Sequence, residues 1–188
     1  YGNYLNVLIM AGKMEKAEKL VKSSLKAHEE NGNTSGVMAE HRNLGNLCLQ
    51  KTDWFNAEKN YLKALGINTK AGNKPEMAED NRNVYNLYLQ KEDWSKSEKF
   101  ALNALAISGK IKDHRNAGAD CRILSNIYAE KKERSKQEEY YKKALEHSQA
   151  LNDPREIIVD LRFLGKFNMT RGYREKASEN FQEAFALS

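Results

Sequence analysis

Residue types suited to binding recur in this sequence at one fixed spacing. An arginine stands every 40 residues, and a polar residue follows it four positions later. The pairs are Arg42 with Asn46, Arg82 with Asn86, Arg122 with Asn126, and Arg162 with Lys166. Because residues four apart are neighbours on a helix surface, each pair predicts two polar groups on one helical face. A guanidinium can clamp a carboxylate with two parallel hydrogen bonds, and an amide can bond the backbone of a peptide.

Three further asparagines extend this candidate peptide-binding site. Asn6 stands 40 residues before Asn46, on the same register. Asn43 and Asn83 directly follow two of the arginines, and we expect them to border the surface that the pairs form. Since Lys166 replaces the asparagine in the last pair, the pattern favours a site centred on the middle repeats.

An acidic residue stands two positions before each arginine and offers a structural interpretation of the same pattern. These residues are Glu40, Asp80, Asp120 and Asp160. Residues two apart on a helix point in different directions, so each acid points away from its own arginine. It could instead pair with the arginine of a neighbouring repeat and hold the two repeats together. We favour ligand binding for the arginines, since polar residues repeated along one surface seldom serve packing alone, and assign the acids to structure or solubility.

The 40-residue period indicates an array of identical supersecondary units. We divide the 188 residues into five repeats that together form one domain over 1–188. The repeats are 1–40, 41–80, 81–120, 121–160 and 161–188. Tyr1 and Ser188 both fall inside helical patterns, and neither end carries a polar capping repeat. We therefore expect a segment of a longer protein.

Each repeat is expected to hold two helices. In the second repeat, Leu44 and Leu47 are spaced as one face of a first helix. Asp53 is well suited to cap a second helix that begins at Trp54, and a Gly-Asn turn at 72–73 closes the repeat. No run of alternating apolar and polar residues is long enough for a strand. This excludes a β-propeller, whose period is also near 40 residues.

Two local patterns support the assignment of helical hairpins. Asp153, Pro154 and Glu156 are typical of a helix start, as the cap, the first helical residue and the third residue of a capping box. Gly45 and Gly165 occupy one position of the first helix, where a small residue lets the two helices of a hairpin approach closely.

The second repeat resembles the signature of tetratricopeptide-repeat (TPR) proteins. The matching residues are Asn43-Leu44-Gly45-Asn46, Asp53-Trp54, Ala57, Tyr61 and Ala64-Leu65. A usual TPR has about 34 residues, and the longer period is similar to that of Pins/LGN-type adaptors and of bacterial regulators such as Rap-type peptide sensors. The resemblance implies an all-α fold, an α-α superhelix of about five helix-turn-helix repeats. It also implies that the Arg–Asn face of each first helix lines a concave groove and faces a ligand.

Charge and cysteines narrow the class of protein. The net charge is +5, but lysines and glutamates are interspersed, which is typical of a solvated surface and gives nucleic-acid binding little support. No apolar stretch is long enough to span a membrane. Cys48 and Cys121 lie two repeats apart, too far for a disulfide. We therefore expect buried free thiols and a reducing, cytoplasmic setting.

Catalysis finds no support in the sequence. The four histidines are scattered and do not have a metal-binding spacing. The sequence also contains no phosphate-binding loop and no nucleophile motif. They are His28, His41, His114 and His147. We expect no enzyme, metal or cofactor, and predict a non-catalytic scaffold that binds a peptide or partner segment, with an acidic one suiting the arginines. Two alternatives stay open: a sensory or regulatory domain of a larger signalling protein, and a nucleic-acid-binding domain.

Overall fold

Helices are the only regular structure throughout the described residues. A computed structural model describes residues 2–188, with side chains from Tyr4 onward. Tyr1, where the first predicted repeat begins, lies outside the described residues. The helices are α1 (Gly2–Met10), α2 (Met14–Glu30), α3 (Thr34–Gln50), α4 (Trp54–Ala71), α5 (Lys74–Gln90), α6 (Trp94–Lys110), α7 (His114–Glu130), α8 (Arg134–Leu151), α9 (Pro154–Thr170) and α10 (Arg174–Ala186).

Helices α1 to α4 and α7 to α10 pair into hairpins, and the helix starts follow the predicted period. Successive first helices begin at Thr34, Lys74, His114 and Pro154, which are 40 residues apart. The predicted boundaries after residues 40, 80, 120 and 160 therefore fall inside first helices and not between hairpins. A period determines the length of a repeat but not where the repeat starts, so the predicted boundaries are displaced along the chain.

A residue with positive φ follows each of the helices α1 to α9, once every 20 residues. These residues are Gly12, Gly32, Thr52, Gly72, Glu92, Lys112, Lys132, Asn152 and Gly172. Glycine adopts this conformation without steric cost, and asparagine tolerates it. The predicted turn at 72–73 is confirmed, with Gly72 at φ 67°. Thr52 adopts a similar φ of 57° although its branched side chain disfavours it.

Side-chain caps define where several helices begin. Asp53 accepts a backbone N–H of the first turn of α4 at 3.2 Å, and Asp153 accepts one of α9 at 3.1 Å, as predicted. Pro154 occupies the first position of α9. Glu156 does not complete the predicted capping box, because its carboxylate pairs with Arg122 at 2.7 Å.

The two predicted glycine positions permit close packing within hairpins. A Cβ at Gly165 on α9 would lie 2.6 Å from Cε1 of Phe181 on α10. A Cβ at Gly45 on α3 would overlap the ring of Tyr61 on α4, which is 1% exposed. In both hairpins the missing side chain makes room for an aromatic ring of the second helix.

The helices form two compact units, each with its own core. The first unit contains α1 to α5 and the second contains α6 to α10, with the boundary at 92/93. In the first unit, Leu44 and Leu47 are buried with residues of α1 and α2, as their spacing predicted. In the second unit, Tyr141 of α8 packs with Phe167 of α9. The single domain proposed for the whole chain stays a prediction.

Candidate functional site

Arg42 links α3 to the next first helix of its unit, α5. Its Nε donates to Oδ1 of Asp80 at 2.5 Å, and the guanidinium also pairs with the carboxylate of Glu76. Asp80 is 1% exposed, and its Oδ2 accepts a hydrogen bond from Nδ2 of Asn68 at 2.6 Å. Burial disfavours the charge of Arg42, but Asp80 and Glu76 raise its pKa above the ordinary value. The guanidinium is therefore charged and held between two carboxylates.

Arg122 makes the equivalent contacts in the second unit. It donates to Asp160 from Nε at 2.6 Å and from Nη2 at 2.8 Å. Its Nη2 also donates to the Ser148 hydroxyl at 3.1 Å, and Nη1 pairs with Glu156 at 2.7 Å. The Ser148 hydroxyl in turn donates to Asp160 at 2.5 Å. The hydrogen bonds to Asp160 raise the pKa of Arg122, although burial opposes the shift.

These contacts correct the preferred interpretation of two arginines. Arg42 and Arg122 bond carboxylates of the following repeat, so their guanidiniums are not free to clamp a ligand. The alternative of inter-repeat ion pairs is confirmed at both positions, and Asp80 and Asp160 have structural roles. The reason is the offset between repeats, which brings each arginine opposite the acid 38 residues later.

The other two predicted arginines differ in exposure. Arg82 is 9% exposed, and its guanidinium lies 3.5 Å from Glu79 on the same helix. Arg162 is exposed, and no carboxylate within residues 2–188 pairs with it. Among the four, Arg162 is therefore the guanidinium best placed to meet a ligand directly.

The asparagine register occupies solvent-exposed positions of the first helices in both units. Its members are all exposed: Asn6, Asn46, Asn86, Asn126 and Lys166. Asn46 accepts a hydrogen bond from the Tyr61 hydroxyl at 2.6 Å. The side-chain amides of Asn86 and Asn126 have no hydrogen-bond partner in the part of the chain that the structure describes. These two amides are thus open to solvent and have no packing role there.

Asn43 and Asn83 are half-buried beside this register. Asn43 donates from Nδ2 to the Glu40 carboxylate at 3.0 Å, so part of its hydrogen-bonding capacity is used within α3. Both residues therefore border the exposed register, and neither is its most accessible part.

A second set of periodic ion pairs was not recognised from the sequence. A glutamate of a second helix pairs with a lysine 33 residues later, just after the next first helix. The pairs are Glu18–Lys51 at 2.5 Å, Glu58–Lys91 at 3.9 Å, and Glu98–Lys131. The hydroxyls of Tyr88 and Tyr128 donate to Glu58 and Glu98, each at 2.6 Å. The same period could have identified these residues, because the glutamates and the lysines of the three pairs each recur every 40 positions.

The pKa values of Glu18 and Glu98 indicate that their pairs with lysine are ionic. Hydrogen bonds from Lys22 and Lys51 lower the pKa of Glu18 to about 2. Burial raises the pKa of Glu98, but hydrogen bonds from Lys131 and Tyr128 outweigh burial, and the net shift is downward. At neutral pH, the ammonium groups of Lys51 and Lys131 are therefore held in ion pairs with these glutamates.

A cleft of 280 Å³ lies between α8 and α9 in the second unit. Its lining includes Arg134, Tyr141, Phe163, Lys166, Phe167 and Arg171. The rings of Tyr141 and Phe163 stack with centroids 5.8 Å apart and planes 9° apart, and Phe167 lies 6.0 Å from the same tyrosine ring. The structure thus brings Lys166 of the predicted site together with aromatic and cationic residues that the prediction did not include.

Two of the histidines meet, contrary to the scattered arrangement expected from the sequence. The Nδ1 atoms of His114 and His147 are 3.1 Å apart. Burial, followed by the proximity of His114, lowers the pKa of His147. Within residues 2–188, no group of three or more His, Cys, Asp or Glu side chains is placed to hold a metal ion.

Both cysteines are free, as expected. Cys121 is buried, and burial raises the pKa of its thiol to about 12. Cys48 is only half-buried, so the expectation of a buried thiol is wrong at this position. None of the helices in the described part of the chain combines the length and the apolar character needed to cross a bilayer.

Solved structures of TPR proteins share this fold. BtubC (BKLC) from P. vanneervenii is 18% identical with a TM-score of 0.83, over 97% of this chain and 76% of that one. RapI in its apo form is 12% identical with a TM-score of 0.84, over 96% of this chain and 50% of that one. A signal transduction ATPase with a tetratricopeptide repeat sensor, from Pyrococcus horikoshii, is 22% identical with a TM-score of 0.78, over 98% of this chain and 28% of that one.

The comparisons establish the fold. No family model matches the sequence, and no curated protein matches it. At 12–22% identity, structural likeness shows the architecture and not the activity. The predicted fold class, an all-α α-α superhelix of TPR-type repeats, is confirmed.

Proposed function

We propose that this protein is a non-catalytic interaction scaffold that binds a peptide or partner segment on the exposed faces of its first helices. The observation that carries the proposal is the periodic, solvent-exposed register that contains Asn86 and Asn126. Exposed amides without internal partners are suited to hydrogen bonds with the backbone of an extended or helical peptide. The unpaired cysteines support a reducing, cytoplasmic setting as part of the same proposal.

The ligand in this proposal is acidic. Arg162 and Lys166, both exposed on α9, supply the positive charge that contacts it directly. Arg42 and Arg122 act indirectly, because their ion pairs set the spacing of the helices that carry the register. Arg82 is 9% exposed, lies near Glu79 of its own helix, and adds positive charge behind the register. Asn6, Asn43 and Asn83 extend or border the contact surface.

The test is a double Asn86→Asp/Asn126→Asp variant, which adds negative charge with almost no change of shape. Binding is measured by fluorescence anisotropy with acidic, neutral and basic peptides of equal length. We expect the acidic peptides to bind about tenfold more weakly, because like charges then face each other. The melting temperature should be unchanged, since both residues are exposed.

The matched control is Asn103→Asp, an equally exposed asparagine on the second helix α6. It should bind the acidic peptides as the wild type does. The proposal fails if no peptide binds the wild type, or if the double variant and the control bind equally well. Affinity should also fall with added salt, because exposed charge pairs are screened over about 10 Å.

A second candidate function is a sensory domain of a larger signalling protein. It is supported by the likeness to the Pyrococcus horikoshii protein, of which this chain spans 28% and whose name includes a tetratricopeptide repeat sensor. In that case, an acidic peptide that binds the register should change an activity of the longer protein, and the Asn86→Asp/Asn126→Asp variant should abolish that response. A peptide that binds without changing any such activity would leave the simple scaffold as the function.

A further inference from the structure

Four residues at the cleft between α8 and α9 differ from their counterparts in the hairpin of α3 and α4. Arg134 stands where α4 and α6 begin with tryptophan, although α10 also begins with an arginine, Arg174. Gln137 stands where α4 has alanine and α6 has serine. Phe163 and Lys166 stand where α3 and α5 have asparagine. The hairpin of α3 and α4 packs without such residues, so the fold does not require them. All four line the same cleft.

The cleft has an aromatic floor and one accessible ring. Tyr141 and Phe167 are each 7% exposed, whereas Phe163 is 37% exposed and is supported from behind by its stacking on Tyr141. A further ring can pack against Phe163, since aromatic pairs are favourable at centroid distances of about 4.5–7 Å. The volume of 280 Å³ lies below the ~300–1,000 Å³ of typical small-molecule sites and suits one bulky side chain.

The rim of the cleft carries unpaired positive charge. Arg134 and Lys166 are exposed, and no carboxylate within residues 2–188 pairs with either. Arg171 contacts Tyr173, with 3.5 Å between Nη2 and the hydroxyl, and no described carboxylate lies within pairing distance. Lys131, by contrast, is held by Glu98. Three cations around one cleft without counter-charges favour an anionic ligand.

We propose that this cleft binds an aromatic side chain of an acidic partner segment. The ring packs on Phe163, and carboxylates on either side of it in the partner meet Arg134, Lys166 and Arg171. Such binding presupposes the scaffold function proposed above and adds a sequence preference to it. A nucleobase could also pack on Phe163, but strands of nucleic acid are held by successive stacking platforms, and the equivalent position on α7 is Ile123. The observations therefore favour a peptide.

The probe is a fluorescein-labelled octapeptide with a central phenylalanine between two pairs of glutamates. We expect versions with alanine for phenylalanine, or with glutamine for the glutamates, to bind about tenfold more weakly. The double variant Phe163→Asn/Lys166→Asn should also bind the probe about tenfold more weakly. It introduces the asparagines that α3 and α5 carry at the equivalent positions, so the fold should be kept, and thermal unfolding verifies this.

The matched control is Phe55→Asn/Lys63→Asn, which replaces an exposed phenylalanine and an exposed lysine on α4. It should bind the probe as the wild type does. The cleft proposal is overturned if the wild type does not bind the probe, or if the cleft variant binds it unchanged. If the cleft variant binds unchanged while Asn86→Asp/Asn126→Asp loses affinity, the scaffold function stands and the cleft assignment alone is wrong. Tighter binding of a ten-nucleotide oligothymidylate than of the probe would also overturn the proposal, in favour of nucleic acid.

Discussion

At the scale of single residues, Arg122 is the centre of a hydrogen-bonded cluster that joins α7 to α8 and α9. Its guanidinium contacts Asp160, Glu156 and Ser148 at the same time. Asp160 is 1% exposed, and Arg122 and Ser148 supply hydrogen bonds to its carboxylate. A buried ion pair need not stabilise more than an apolar pair of the same size, but loss of one partner leaves an uncompensated charge.

Replacement of Arg122 by leucine should therefore lower the free energy of unfolding by about 3 kcal/mol. Arg162→Leu is the matched control, because Arg162 occupies the same register but is exposed and without a described carboxylate partner, and it should change stability by less than about 0.5 kcal/mol. Urea unfolding followed by circular dichroism measures both variants. If Arg122→Leu loses no more stability than Arg162→Leu, the Ser148 hydroxyl satisfies Asp160 by itself.

His147 makes stability depend on pH. Burial, and then the proximity of His114, lowers its pKa in the folded protein below the ordinary 6.5. The unfolded chain therefore takes up a proton first as the pH falls, so the stabilising contribution is complete above about pH 6.5 and is lost below it. Between pH 7 and pH 5, we expect the wild type to lose more unfolding free energy than His147→Gln. Denaturant titrations at both pH values check this, and parallel losses would contradict it.

At this scale, the period identified the residues and offered their pairing as an alternative, but it could not decide between pairing and ligand binding. Arg122 and Asp160 were both recognised from their period, and the period shows that each has the same surroundings in every repeat. It does not show which side chain lies opposite, because that depends on the offset between adjacent helices. The same limit applies to Glu98 and Lys131, whose partnership appears only when the helices are packed.

At the scale of elements, the turns differ in how well their residues suit the backbone. Gly72 and Thr52 have similar positive φ values of 67° and 57°. Glycine meets no steric penalty there, whereas an L side chain is destabilised by roughly 1–2 kcal/mol in the left-handed region. Thr52 is held in this conformation by the packing of α3 and α4 on either side of it.

The change Thr52→Gly should raise the free energy of unfolding by about 0.5–1 kcal/mol. Relief of the left-handed penalty outweighs the entropy that glycine adds to the unfolded chain. The reverse change at an equivalent turn, Gly72→Ala, should lower it by about 1 kcal/mol. Guanidinium titrations of both variants test the pair together. If the Thr52→Gly protein is less stable than the wild type, the threonine side chain stabilises the fold by more than its left-handed backbone conformation destabilises it.

The turns also show which element boundaries could be read from the sequence. The turn at 72–73 and the cap at Asp53 follow from residues that favour those conformations. The turns at Lys112 and Lys132 do not, since lysine has no preference for positive φ. Glu156 matched a capping box, but the neighbouring Arg122 competes for its carboxylate. Local preference decides a boundary only where no tertiary partner is stronger.

At the scale of the whole molecule, the period predicted the fold, and the breaks in the period were the better guide to the candidate cleft. The apolar and small residues that recur every 40 positions are sufficient to specify TPR-type hairpins. Gln137 and Phe163 do not recur, so a search for repeated residues passes over them. Fold maintenance leaves a periodic signal, whereas a site used once in an array leaves an exception to it.

The second unit should fold as an isolated fragment, residues 93–188. Its core around Tyr141 and its buried pair Arg122–Asp160 both lie entirely within this range. Because repeat arrays gain stability from each repeat and its nearest neighbours, we expect a helical circular dichroism spectrum and cooperative unfolding at a lower temperature than in the whole chain. Arg122→Leu should destabilise the fragment by the same roughly 3 kcal/mol as the whole chain, because every affected contact is retained. A fragment without helical signal would show that the first unit is required for the second to fold.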